Sequence, residues 1–304
     1  MFLETSSGIS RPPTRREILI DRTFRGLTFT FALGTILLVG FIVYNISSTA
    51  APSIAEYGFK PLTENTWAAG SNKYGMLPAI WGTIYSSVIG VALGTLFGVS
   101  VAIFLTEDFL APRYTVVLKN VIELLAAIPS VVYGLWGIFV VIPAIRAVVP
   151  SFGGPSLLPA AIVLAIMVLP TITSISRDAL GSVPPKLREA AYGLGATRWE
   201  TIFGVLLPTA SRGICGSILL AFGRALGETM ALAMLVGNSN NLTWSLFSPA
   251  NTLAALLANQ FPEAGRPEVS ALMYAALVLL AITLLVNVLG TLVLARTSKM
   301  EGTH

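Results

Sequence analysis

Of the 304 residues, 54% are hydrophobic and only 11% charged, and the mean hydropathy is +0.78. Soluble domains carry about a quarter charged residues, so this balance excludes a soluble globular chain and fits an integral membrane protein. A net charge of +4 is no nucleic-acid signature, the single Cys215 excludes an intrachain disulfide, and the only histidine, the terminal His304, argues against a zinc site. The apolar residues gather in runs that reach the length of about 20 needed to cross a bilayer as helix. The alternation of a transmembrane barrel is missing, so the expected fold is all-α and polytopic, embedded in membrane lipid.

Residues 1–25 carry Arg11, Arg15, Arg16, Arg22 and Arg25 and lack a signal-peptide pattern. Ile18, Leu19 and Phe24 among them fit a short amphipathic helix on the membrane surface; a disordered basic tail is the alternative. A first span is expected over 26–46 and a polar loop over 47–75. A core of five further spans fills 76–295, followed by a tail at 296–304.

Within that core the second span runs from about Leu77 to Leu105. Gly82, Ser86, Gly90, Gly94 and Gly98 recur every fourth residue, a row of small side chains on one face that admits a close neighbouring helix. Thr106, Glu107, Asp108, Pro112 and Arg113 close it. The third span runs from Lys119 to Val149 with Pro129 and Pro143 inside, and prolines there need protein or a watery cavity beside them. The fourth covers Ser156 to Ile175 and the fifth Arg212 to Val236, separated by a loop at 176–211. A polar loop at 237–270 precedes the sixth span, Ala271 to Ala295. Trp67, Trp81 and Trp244, near span ends, read as interfacial anchors.

Six spans put both termini and the 106–119 and 176–211 loops on one side. That side holds five basic residues before the first span, two at 106–119, five at 177–212 and two in the tail. The other side holds Lys60, Lys73, Arg146 and Arg266. The positive-inside rule therefore places both termini in the cytoplasm.

The 176–211 loop has internal structure. Ser182-Val183-Pro184-Pro185 starts a helix, and Gly193 and Gly195 stop it. Thr197-Arg198-Trp199-Glu200 fits a capping box that starts a second helix. Two short helices around a glycine bend make a rigid knob for a partner; an ordinary loop tucked against the bundle has the same composition.

Arg224 and Glu228 are the other candidates. Counted from Gly213, Arg224 lies about 17 Å into a core of about 30 Å, with Glu228 one turn on along the same face. Two central charges cost about 5–7 kcal/mol, and the span's large apolar residues return only about 3–5. Such a helix faces the bundle interior, and an intramembrane ionisable residue marks a functional site. Arg224 offers forked donors to an oxyanion. Glu228 limits how tightly an anion is held and offers an acceptor to the proton of phosphate, which ionised sulfate lacks. Mutual neutralisation of the two as an i, i+4 pair is the structural alternative.

Glu189-Ala190-Ala191, three residues, Gly195, nine residues, Val205, one residue and Leu207-Pro208 resembles the EAA motif of ABC importer permeases, with valine for the family's isoleucine. Gly223-Arg224-Ala225-Leu226-Gly227-Glu228-Thr229-Met230-Ala231 with Gly237-Asn238, and Ala127 to Leu135, are similar to permeases of phosphate-specific ABC importers; the Glu228-Thr229-Met230-Ala231 continuation is similar to the PstC rather than the PstA type, and Gly82-Thr83 fits the start of the family's core.

The resemblance implies a type I ABC importer permease fold, with Arg224, Glu228 and Thr229 on the substrate pathway. It makes Glu189, Ala190, Ala191, Gly195, Ala196 and Thr197 the coupling surface. Its implied partners are a second, PstA-type permease, a PstB-type ATPase dimer and a PstS-type extracytoplasmic phosphate-binding protein. This sequence has no Gly-x4-Gly-Lys-Ser/Thr loop and no nucleophile–base arrangement, so ATP and Mg belong to the ATPase subunits. Another oxyanion such as sulfate or molybdate, an ion-coupled carrier, and an anion channel or scaffold subunit are the rival readings.

Overall fold

A computed structural model describes residues 14–107, 109 and 111–300, with side chains through residue 295; Arg11, Asp108 and His304 fall outside them. The described residues up to Ser48 form one compact unit and those from Thr49 another. Among the described residues, six helical segments are long and apolar enough to cross a membrane: Arg15–Tyr57, Leu77–Thr106, Ser130–Val148, Leu157–Gly181, Arg198–Leu226 and Arg266–Ala295. The fold is all-helical apart from a hairpin of two-residue strands, β1 (Trp67–Ala68) and β2 (Lys73–Tyr74).

Helix α1 (Arg15–Tyr57) is longer than the apolar stretch at 26–46. Nothing between Arg15 and Arg25 breaks a helix, so the basic residues continue into the span instead of forming a separate surface segment. Thr28, Thr30 and Thr35 return their hydroxyls to carbonyls four residues back, which satisfies them inside the apolar run. The single turn α2 (Lys60–Thr63) and the hairpin follow.

Helices α3 (Leu77–Thr106) and α7 (Leu157–Gly181) form the centre of the second unit. The small-residue face of α3 is where they meet. A Cβ at Gly94 would lie 2.6 Å from Val168 Cγ2, and one at Gly98 3.0 Å from Ile172 Cγ2; at Gly90 it would lie 2.9 Å from Leu164 Cδ2. Thr173 of α7 donates to the Gly98 carbonyl at 3.1 Å, and buried Ser86 donates to the Gly82 carbonyl at 2.6 Å. Gly82 faces the backbone oxygen of Asn251 instead of α7.

The expected third span from Lys119 divides in two. Pro129 excludes Ile128 from helical ψ, and Ile128 stands at ψ 128°. Helix α4 (Pro112–Ala127) is therefore separate, and the spanning segment is α5 (Ser130–Trp136), a π turn (Gly137–Val141) and α6 (Ile142–Val148).

The same device recurs in the fifth span. After α8 (Pro185–Gly193), α9 (Arg198–Thr201) passes through a second π turn (Ile202–Leu206) into α10 (Leu207–Leu226). Pro143 and Pro208 each follow their π turn by two residues. The carbonyl that each ring would strike, four residues back, lies within the wider turn. Pro208 therefore does not end the helix. The fifth span starts at Arg198, not Arg212, while α7 runs on to Gly181. The connecting loop shrinks from 176–211 to 182–197.

At its other end this span stops at Leu226. Gly227 to Thr229 are non-helical, and α11 (Met230–Leu235) is a separate short helix.

The stretch at 237–270 is not a plain polar loop. It threads into the bundle: Leu158 N–H donates to Leu246 O at 2.8 Å, Leu253 N–H to Thr83 Oγ1 at 2.9 Å, and Trp81 Nε1 to Thr243 O at 2.9 Å. Helix α12 (Leu253–Gln260) then buries Leu253, Ala254, Ala255 and Leu256, and α13 (Arg266–Met300) is the last described helix. Trp81 and Trp244 pack against each other with ring centroids 4.2 Å apart, Trp81 half-buried and Trp244 exposed. Trp67 packs edge-on against Tyr74.

Gly82→Ala drives a methyl into the Asn251 carbonyl, and Gly94→Val drives one into Val168. Each is expected to destabilise the protein by about 1–3 kcal/mol, read as a lower melting temperature in detergent. Gly216→Ala, where the new Cβ has open space, should be neutral or stabilising by about 0.5–1 kcal/mol.

Candidate functional site

At one end of the second unit the segment 182–201 forms the expected helix–bend–helix. Pro184 enters α8 in an extended conformation and Pro185 takes its first position. Gly193 is still helical, and the left-handed residue is Gly195 at φ +86°, with Gly195 N–H bonded to Tyr192 O and Ala196 N–H to Ala191 O. Thr197 and Glu200 close a capping box: Thr197 N–H donates to Glu200 Oε2 at 2.7 Å and Glu200 N–H to Thr197 Oγ1 at 3.4 Å. Buried Val183 and Ala191 hold α8 down, while Glu189, Ala190, Gly195 and Thr197 are exposed and Ala196 is half-buried. Leu194, 90% exposed, makes the tip apolar.

Two contacts fasten this segment to the bundle, and neither was predicted. Arg188 Nη2 lies 2.7 Å from Glu107 Oε1, a carboxylate whose side chain is only 5% exposed, at the end of α3. Phe109 stacks on Trp199 at 5.4 Å, and Trp199 on Phe203 at 5.9 Å. Arg188, Tyr192, Arg198 and Glu107 line one open cavity. The knob is therefore both tied to the bundle and exposed on its outer face.

Arg224 sits two residues before the end of α10, on the face that also carries Leu220 and Gly223. With Thr171 of α7 and Thr283 and Asn287 of α13 these residues line a groove of about 360 Å³. Arg224 is exposed in this groove and, among the described residues, forms no hydrogen bond or ion pair. The expected continuation to Glu228 along one helix face fails, because the helix ends at Leu226. Glu228 lies in the break, its Oε1 accepting from Ala231 N–H at 3.3 Å, and it does not pair with Arg224. Thr229 donates to Gly227 O at 3.1 Å in the same break. Neither residue lines the groove.

The residues that do line it with Arg224 were missed. Asn287 is a lone amide in the most apolar of the six spans, which was a usable signal. Thr171 and Thr283 gave none, since threonine is ordinary inside a spanning helix.

The family described as binding-protein-dependent transport system inner membrane component matches residues 94–299. The chain is 38% identical over 309 residues to the phosphate transport system permease protein PstC of Mesorhizobium japonicum, covering 95% of this chain and 94% of that protein. It is also 38% identical over 306 residues to PstC of Haemophilus influenzae, covering 93% and 96%. Among solved structures, a chain of a bacterial alginate ABC transporter in complex with alginate pentasaccharide-bound periplasmic protein superposes with a TM-score of 0.65. It covers 89% of this chain and 94% of that one at 16% identity, a likeness of fold alone.

Arg188→Ala removes the guanidinium from a buried carboxylate. Because Arg188 itself is half-buried, the expected cost is about 1–3 kcal/mol. Faster hydrogen exchange of the α8 amides would register it, with partial recovery when Glu107→Ala is added.

Proposed function

The chain belongs to the binding-protein-dependent transport inner-membrane components, among the PstC-type permeases of phosphate-specific ABC transport systems, and on that premise we propose how it moves its anion. It is a multi-pass inner-membrane permease and not an ATPase, and its system implies ATPase and binding-protein partners. We assign it a PstA-type second permease, a PstB-type ATPase dimer that binds ATP and Mg, and a PstS-type phosphate-binding protein. The basic residues gathered on the side of the 182–197 loop favour a cytoplasmic position for that loop and both termini.

The observation that carries the mechanism is Arg224, an exposed guanidinium with no hydrogen-bond or ion-pair partner among the described residues, within a groove between three spanning helices. The cost of about 2.5–3.5 kcal/mol for a charge at a helix centre is an upper bound here, because the span starts at Arg198 and Arg224 lies two residues before its far end. A protein keeps one there when an anion answers it. Arg224 is the fixed cation of the pathway, offering forked N–H donors to one phosphate at a time. Glu228 and Thr229, in the break beyond it, stand next on the path. The negative charge of Glu228 weakens retention, as release requires.

Coupling follows from the continuity of the fifth span. One helical rod runs from the capping box at Thr197–Glu200 to Arg224, about 39 Å at 1.5 Å per residue. Glu189, Ala190, Gly195, Ala196 and Thr197 form the face that meets the ATPase, with Ala191 of the same motif buried beneath it to seat α8, and apolar Leu194 is the side chain that gains most by burial there. When the ATPase closes on ATP, displacement of the knob is carried along the rod to the guanidinium. The pathway then opens outward to the binding protein.

In the importer reconstituted with its partner subunits, Arg224→Ala is expected to lower phosphate uptake about tenfold to hundredfold. Arg224→Lys, which keeps the charge and loses the fork, should fall between. Uptake at the normal rate in Arg224→Ala would remove the assignment. Gly195→Val forces a branched side chain to positive φ, at a cost of about 1–2 kcal/mol. It should weaken co-purification of the ATPase while leaving the α3–α7 core intact.

A further inference from the structure

The groove around Arg224 holds more unpartnered polarity than a fixed cation requires. Among the described residues, the amide of Asn287 and the hydroxyl of Thr171 form no hydrogen bond. Thr283 donates to Leu279 O at 2.8 Å, which leaves its oxygen free to accept. Asn287 and Thr283 are one turn apart on α13, so both face α10. The approach is close because residue 223 is glycine: a Cβ there would lie 3.2 Å from Asn287 Oδ1 and 3.4 Å from Nδ2. The amide thus rests against the backbone of the residue that precedes Arg224.

These groups differ in what they can do. The guanidinium can only donate. The amide of Asn287 donates through Nδ2 and accepts through Oδ1, and it carries no charge that would repel an anion. Glu228, the acceptor favoured by the sequence, lies outside the groove and receives the Ala231 N–H instead.

Resting on the reading of Arg224 above, we infer that Asn287 is the residue that recognises the protonated oxygen of phosphate. Its Oδ1 accepts the P–OH hydrogen while Arg224 and Thr171 donate to the unprotonated oxygens. A fully ionised oxyanion such as sulfate sets an oxygen lone pair against Oδ1 and loses that bond. The discrimination comes from the hydrogen bond that a fully ionised anion cannot make and from the acceptor it leaves facing like charge.

The test uses the reconstituted importer with loaded phosphate-binding protein, reading phosphate carried per ATP hydrolysed. Asn287→Leu, close in shape and without the amide, is expected to lower that ratio about three- to tenfold, with ATP hydrolysis stimulated by the binding protein unchanged. Asn287→Asp keeps an acceptor and adds a negative charge. It should carry phosphate with its pH profile moved about one unit toward acid, where the monoanion prevails. A wild-type ratio in Asn287→Leu overturns the inference. So does a parallel fall in transport and ATP hydrolysis, which would mean that Asn287 only packs α13 against α10 or the second permease. Arg224→Ala separates the two levels. If it abolishes uptake while Asn287→Leu is normal, only the role of Asn287 is wrong. If Arg224→Ala itself transports normally, the reading of the groove as the phosphate pathway falls.

Discussion

A guanidinium held among spanning helices without a carboxylate beside it is the constraint on which the rest of this structure depends. An ion pair would neutralise it, but among the described residues Arg224 has no pairing partner. On the proposed reading, its stability rests on the groove and on the anion that passes through it. The surrounding architecture is consistent with that demand. Helices α7 and α13 bring two hydroxyls and an amide to the groove that holds Arg224, and of these Thr171 and Asn287 can donate while Thr283 gives its hydrogen to Leu279 O. If the groove is the pathway proposed above, such neutral groups orient an ion without deepening its well.

The helices that build the groove are interrupted at places with local physical causes. Two π turns absorb Pro143 and Pro208 and let their helices continue. Pro129, without such a turn, ends a helix and re-aims the chain. Gly227 to Thr229 end α10 just beyond Arg224, which exposes non-helical backbone next to the guanidinium. Irregular backbone at membrane depth is tolerated where it is buried in protein or lines a watery cavity. The break and the charge therefore have the same environmental requirement and lie together.

At the other end of the same rod, rigidity is local. The capping box, the left-handed glycine and the Glu107–Arg188 pair fix a short helix whose outer face and apolar tip are left exposed. The pair connects that helix to the end of α3, and α3 packs along α7 through its glycines. A push on the knob thus reaches two helices, α10 through continuity of the backbone and α3 through a side-chain contact.

Much of this was legible in residue order alone. Runs of apolar residues determine six spans because crossing a bilayer is a matter of length and composition. The capping box at Thr197, the bend at Gly195 and the small face of α3 are patterns over a few residues, and local backbone chemistry sets them. Where reading along the chain misplaced an element, a second local feature had intervened: a π turn allowed Pro208 to stay inside a helix, and Gly227 ended one early. What stands opposite what was decided only by tertiary structure. The separation of Glu228 from Arg224, the convergence of Thr171, Thr283 and Asn287 on the guanidinium, the tie between Glu107 and Arg188, and the burial of α12 all join residues far apart in the chain. Hydropathy and periodicity report the face a residue occupies on its own helix. They carry no information about which other helix that face will meet, since that is set by packing of the whole bundle.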